Sequence, residues 1–274
     1  MAFSIQSHAE LRYGDTLPKR AVRGGLNPDI AMATNQLAIG FGSLHQDYRE
    51  YNDGLTTLLP SILDSEEGKI STGRLSYTGL YSSHFYLQAN YTESRGKTAY
   101  DGFLQAPGPI YTPFQTLTDN TIQDLNVKIG GGIPLGSMTV VVPYVDLGSH
   151  KWKREIGKAT PYSLTETYSH QFLGVGAKAL FSPVSRLVFE LGATYGTTMS
   201  SNMSLEGYDY PLGNKPYIAA NFGVDVRFAG AWHLKATADY RKWEYGASDW
   251  IAGAMEPHSQ TKQNVYLLSL GYTL

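Results

Sequence analysis

Seven histidines are the residues of this chain whose chemistry would be easiest to recognise, because imidazole serves as metal ligand, general acid and general base. They stand at His8, His45, His84, His150, His170, His233 and His258, with no HExxH and no close pair, so the spacing predicts no metal site. The absence of cysteine removes thiolate nucleophiles, disulfide scaffolds, cysteine-ligated zinc and c-type haem attachment. Gly174-Val175-Gly176-Ala177-Lys178-Ala179 has the look of a dinucleotide fingerprint, but it runs into a Ser-Pro turn with no helix to receive a pyrophosphate. Gly130-Gly131-Gly132 lacks the following helix and the Lys-Ser/Thr of a phosphate loop, and there glycine serves to relieve crowding or permit a bend in a curved strand. No cofactor is expected. A balance of 22 basic against 24 acidic residues gives no electrostatic footprint for nucleic acid.

The elements that would position any chemistry are set by a two-beat hydrophobic rhythm. In Trp232-His233-Leu234-Lys235-Ala236-Thr237-Ala238-Asp239-Tyr240-Arg241 every even position is apolar or aromatic and every odd one polar. Successive side chains of a strand point to opposite faces, so this segment has one greasy and one ionic face. No stretch approaches the ~18 uninterrupted apolar residues of a membrane helix, but a barrel needs none, since only alternate residues face lipid.

Strand candidates fall in pairs joined by short turns: 70–81 with 84–95, 121–133 with 138–152, 165–181 with 186–197, and 216–228 with 232–245. The links between pairs, near 52–69, 96–120, 153–164, 198–215 and 246–263, are long and rich in Gly, Pro, Ser, Asn and Asp. Short and long connections alternate, which places all short turns at one end of the strands and all long loops at the other. Adding 35–49 and 264–274 gives ten strands. Tyr81, Phe85, Phe181, Phe228 and Trp232 flank the short turns on the outward parity, and Tyr91, Tyr195 and Tyr240 share that parity toward the long loops. Two aromatic bands bracketing an aliphatic zone are what interfacial girdles require.

The alternating final strand, closing on Tyr272-Thr273-Leu274, resembles the C-terminal assembly signal of bacterial outer-membrane β-barrels, with Leu274 where Phe or Trp is usual. The resemblance is to a class and implies an all-β fold: a transmembrane antiparallel up-and-down barrel of ten strands over residues 35–274, with short periplasmic turns and long extracellular loops. It further implies the bacterial outer membrane as location, with the bilayer and its lipopolysaccharide as surroundings and the assembly machinery as a partner of the last strand. Met1-Ala2-Phe3-Ser4 lacks the start of a signal peptide, so a mature form carrying a new initiator is expected.

With the greasy parity toward lipid, the lumen would be lined by Arg74, His84, Asp124, Lys128, Asp146, Lys178, Arg186, Glu190, Asp225, Arg227, His233, Lys235, Asp239 and Arg241. So many charges on one face do not suit a dry sandwich core. Val140, Val142 and Tyr144 fall on the same parity and form an apolar lumen patch able to meet a less polar solute, an inserted segment, or each other as space-filling. Residues 1–34 read as a periplasmic extension or a lumen plug; a twelve-strand count is the alternative, against which Pro18, Gly24, Gly25 and Pro28 argue.

The function expected is passive passage of a small solute through a charged lumen. An adhesive or structural barrel is the alternative, with exposed loop aromatics such as Tyr208, Tyr210 and Trp250 as partner contacts. The chain also resembles the omptin-type outer-membrane proteases in strand number and length, which implies a rim site of Asp and His. Asp47, His45, His150, Asp249 and His258 are the rim candidates here, and no spacing singles out a catalytic set among them.

Overall fold

The computed structural model describes residues 26–54, 59–81, 85–105, 111–251 and 253–274. One short helix, α1 (Pro28–Ala33), precedes twelve strands: β1 (Gln36–Tyr51), β2 (Ile62–Tyr81), β3 (Phe85–Gln105), β4 (Tyr111–Gly130), β5 (Ile133–Leu135), β6 (Thr139–Ile156), β7 (Leu164–Val184), β8 (Leu187–Leu205), β9 (Tyr208–Pro211), β10 (Pro216–Ala229), β11 (Trp232–Tyr245) and β12 (Ser259–Thr273). Every pairing is antiparallel, running β10-β11-β12-β1-β2-β3-β4-β6-β7-β8, and β8 pairs with β10 to close ten strands into a barrel. The two others are short additions: β5 pairs with β6 within the link predicted as a plain turn, and β9 pairs with β8. The first and last barrel strands meet in unbroken register from Gln36↔Thr273 to Glu50↔Ser259, so the barrel has no free edge. Gly42 lies where an added Cβ would strike the Tyr266 carbonyl, and Gly130 where it would strike that of Pro143. At both points glycine permits close strand approach in a curved wall.

The strands are longer than the hydrophobic rhythm alone marks out. The expected loop 96–120 is mostly strand, because β3 runs on to Gln105 and β4 begins at Tyr111. Likewise β2 begins at Ile62 and β8 continues to Leu205. A 21-residue strand such as β3 measures about 70 Å at ~3.3 Å per residue, or about 50 Å of height at a tilt near 40°. An apolar band is only about 25 Å tall. The surplus forms a collar at the long-loop end.

Band and collar differ in what they turn outward. In β6 the outward residues are Val145 and Leu147, then Ser149, Lys151 and Lys153. In β12 they are Tyr272, Leu270, Leu268 and Tyr266, then Asn264 and Lys262. Around the band Phe41, Leu75, Leu125, Val175, Leu191, Phe222 and Leu234 are exposed, a surface that only lipid or detergent would cover at low cost. Above it the parity keeps its phase while the chemistry changes sides. Trp152 and Tyr168 point inward and are fully buried, while their strand neighbours on the outside are polar.

Candidate functional site

The interior of the barrel is filled at two heights. At the short-turn end α1 lies across it. Asn27 caps the helix, its Oδ1 accepting from Asp29 N at 2.9 Å and Ile30 N at 3.3 Å, and Pro28 occupies the first turn, where no N–H is needed. Ile30 and Leu26 are buried in one cluster with Leu80, Tyr86, Val140, Val142, Leu180 and Val188. Three polar ties hold the helix to the wall: Arg227 Nη2 to Asp29 Oδ1 at 3.1 Å, Asn27 Nδ2 to the Ser137 carbonyl at 3.0 Å, and Thr273 Oγ1 to the Met32 carbonyl at 3.1 Å. Behind Thr273 stand His233 Nε2 at 2.8 Å and, on the other ring nitrogen, Asp225 Oδ1 at 2.6 Å. Gln36 Nε2 donates to the remaining Asp225 oxygen at 2.9 Å.

Above this floor is a cavity of about 110 Å³, room for a few waters, lined by nine of the charges expected in the lumen: Arg74, Asp124, Lys128, Asp146, Lys178, Glu190, Lys235, Asp239 and Arg241. Most are tightly paired. Arg74 meets Asp239 at 2.6 Å, and Glu190 receives both Lys178 and Lys235 at 2.8 Å. Arg241 grips Asp124 with both terminal nitrogens, at 2.9 and 3.0 Å. That last pair joins β11 to β4, strands with four others between them on either side, so it spans the full width of the barrel.

The cavity ceiling is aromatic. Phe172 stacks on Tyr217 with centroids 4.5 Å apart, and His150 lies 4.9 Å from His170 and 4.8 Å from Trp243. His150 Nδ1 is 2.7 Å from Asp124, and His170 Nδ1 is 2.7 Å from the Tyr245 hydroxyl. In the collar above, Tyr48 and Tyr168 touch hydroxyl to hydroxyl at 2.9 Å, again from opposite walls. Beside them sits Arg154, 0% exposed, facing Glu50, Asp64, Glu66 and Glu166 at 3.5, 3.7, 3.1 and 3.3 Å. Glu256, from the loop between β11 and β12, completes the group by accepting from the Tyr168 hydroxyl. Four carboxylates thus share one guanidinium, with a fifth, Glu256, held beside them through Tyr168. Burial, reinforced by mutual repulsion, pushes Asp64 and Glu256 well above the usual carboxylate range. Burial also raises Glu166, to about 7, against the pull of Arg154.

The predicted positions sort plainly. Asp225, Arg227 and His233 belong to the floor around α1, and the nine cavity charges to the storey above. Arg186 is not in the lumen. It is exposed in the tight turn Ser185-Arg186 between β7 and β8 with φ of 69°, β8 beginning at Leu187, one residue later than the hydrophobic pattern marks. His84 lies outside the described residues, as do residues 1–25 of the N-terminal segment. Val140 and Val142 seat α1, whereas Tyr144 lies higher and hydrogen-bonds Thr194 Oγ1 at 3.0 Å. Of the aromatic bands, Tyr81, Phe85, Phe181, Phe228, Trp232, Tyr91 and Tyr195 are exposed, and Tyr240 is half-buried on the same parity. The rim candidates do not gather. His45 and Asp47 lie on the outer parity of the collar wall, His150 is buried beneath it, and His258 pairs with Asp53 at 2.9 Å. The Arg154 group escapes a reading that follows one parity for greasy residues. Its signal is the switch of apolar residues to the inner parity in Lys151-Trp152-Lys153-Arg154-Glu155-Ile156.

The barrel is similar in fold to the outer membrane protease OmpT from Escherichia coli. The TM-score is 0.53 at 13% identity, covering 87% of this chain and 96% of that one. The chain has the fold of a bacterial outer-membrane β-barrel. Weaker likenesses extend to the translocator domain of autotransporter NalP from Neisseria meningitidis (TM-score 0.46, 11% identity, covering 88% and 89%) and the toluene transporter TodX of P. putida (0.33, 12%, 90% and 92%). No protein-family model and no curated protein matches the sequence.

Proposed function

We propose that this outer-membrane barrel works at the cell's outer face, its collar presenting a rigid mouth to a macromolecular partner, and that its lumen does not conduct while α1 and the collar core are in place. The observation that carries this reading is the pair of wall-to-wall contacts, Arg241–Asp124 and Tyr48–Tyr168, each joining opposite strands through a buried layer. An open passive channel, the function expected from the charged parity alone, fits poorly with an interior packed at two heights. At the mouth Trp250 is 72% exposed and Tyr208 52% exposed, the kind of amphipathic anchor that interfaces use. On the membrane side, the outward row Tyr266, Leu268, Leu270 and Tyr272 supports contact of β12 with lipid and with the assembly machinery.

Planar-bilayer recording tests the reading. The full chain is expected to be silent, and so is a variant lacking residues 1–34, because the aromatic ceiling stays. Steady conductance from the full chain would overturn the proposal. The charged cavity favours a second reading, a small-solute channel shut by the N-terminal segment, and conductance appearing only after the deletion would select it.

A further inference from the structure

Charge around the mid-lumen cavity does not balance. Among the described residues lining it are five cationic side chains and four carboxylates. Four of the cations lie within 2.9 Å of a carboxylate oxygen. Lys128 does not. Its Nζ is 3.8 Å from Asp146 Oδ2, 3.4 Å from the Tyr144 hydroxyl and 4.6 Å above the Tyr144 ring. Asp146 is engaged elsewhere, accepting from Asn126 and, at 3.2 Å, from Thr194. A second donor on the cavity wall is also unused: the Thr237 hydroxyl is buried with no hydrogen-bond partner. Lys178 adds to the excess from the same side, its Nζ reaching Gln88, the cross-strand neighbour of Lys128, at 2.9 Å.

With its nearest carboxylate oxygen 3.8 Å away, on an Asp146 that also accepts from Asn126 and Thr194, the Lys128 ammonium is compensated less closely than the four other cations. The surrounding band is greasy on its outer face, α1 floors the cavity, and the Phe172–Tyr217 stack lies above it. We infer that the cavity holds one small monovalent anion of chloride size, bound at Lys128 Nζ. A volume of about 110 Å³ admits such an ion with a few waters. Larger phosphate esters or sugars would not fit beside the paired charges. The inference stands whichever of the functional readings above holds, since it depends on the cavity alone.

The test is crystallisation of the full chain from bromide in place of chloride, together with thermal unfolding in detergent at fixed ionic strength, with chloride exchanged for the bulky anion gluconate. We expect an anomalous bromide peak beside Lys128. We also expect a melting temperature that rises by roughly 3 °C for each tenfold of chloride above the dissociation constant. Gln88→Glu places a carboxylate directly opposite Lys128 in the β3–β4 register and supplies the missing charge from within. That variant is expected to fold, to lose the bromide peak and to melt at the same temperature in chloride and gluconate. Lys128→Gln is expected to lose both signals too. The inference is overturned if the wild-type barrel shows no bromide at Lys128, if its melting is indifferent to chloride, or if either variant keeps the bound ion.

Discussion

The lower barrel and the collar are built from the same strands, in one register, yet they solve opposite solvation problems. In the band the outside is greasy and the inside ionic. In the collar the outside is ionic and the inside aromatic, as in a water-soluble sheet. Strand β6 passes between the two regimes within a few residues, at Leu147 to Lys151 outside and at Asp146 to Trp152 inside. What differs is the way each region keeps its buried charges. The band pairs them nearly one to one, as at Arg74–Asp239 and Arg241–Asp124. The collar sets four carboxylates around Arg154 with Glu256 close by, and burial raises Asp64, Glu166 and Glu256 among them. The lower pairs are matched by close geometry, whereas the collar core holds carboxyls that burial has raised.

The largest effect should come from removing that one cation. Arg154→Met leaves Glu50, Asp64, Glu66 and Glu166 facing each other without compensation, a change worth about 3–5 kcal/mol. The collar should become protease-sensitive at pH 7 while the band stays folded in detergent. The pH dependence of the wild type has a definite sign. Glu166, raised from 4.5 to about 7 in the fold, is neutral in both states at low pH and is ionised at a cost in the folded state once pH climbs. Collar stability is therefore full below about 4.5 and falls as pH rises toward 7, with Asp64 and Glu256 acting in the same direction. Acidification should accordingly restore much of the protease resistance of Arg154→Met. Hydrogen exchange of the loop carrying Glu256, followed from pH 4 to 8, checks the sign. Protection that increases with pH would contradict it.

Next in size is the outer surface of the band. Leu234 is exposed toward lipid, and Leu234→Arg should cost ~2–4 kcal/mol near the midplane and impair insertion. The matched change in the collar is Lys153→Leu on the outward parity of β6, which should move stability by under ~0.5 kcal/mol. Urea titration in lipid vesicles separates the two outcomes. Equal costs at the two sites would dissolve the distinction between band and collar.

How much of this was legible in the sequence follows from the same distinction. The ten barrel strands and the inward parity of Arg74, Asp146 and Lys178 could be read because lipid demands a strict outward row of hydrophobes. The rule lapses where the strand leaves lipid. Residues 96–120 look like a loop because Lys97, Asp101 and Asp119 are polar on the face where a hydrophobe would have marked a strand. The Arg154 group was invisible because its carboxylates come from β1, β2, β7 and a loop, and no local spacing joins them. Arg186 was misplaced because the turn is the pair Ser185-Arg186, displaced toward β8 from the 182–185 stretch that the pattern marks. For α1 there was a fair local signal, Asn27-Pro28-Asp29 as a helix start, though nothing in it says that the helix lies inside a barrel.

A loss smaller than those at Arg154 and Leu234 is expected at the floor, where a short helix is held by one ion pair and a few side-chain bonds. The Asp29–Arg227 pair is about 85% buried on each side. Exchanging Asp29 for Asn keeps the shape and a weaker hydrogen bond, so the loss should be about 1 kcal/mol. That is too little to unfold a barrel but enough to raise the undocked population of α1 roughly fivefold. Because the chain has no cysteine, Ala31→Cys gives a single thiol on the helix. Its rate of labelling by a water-soluble maleimide reports undocking directly. Asp29→Asn in that background should speed labelling about fivefold and leave the melting of the band unchanged. An unchanged labelling rate would mean that the apolar seat of Val140, Val142 and Leu180 holds the helix without help. The floor would then resemble the collar, kept by packing, more than the paired charges directly above it.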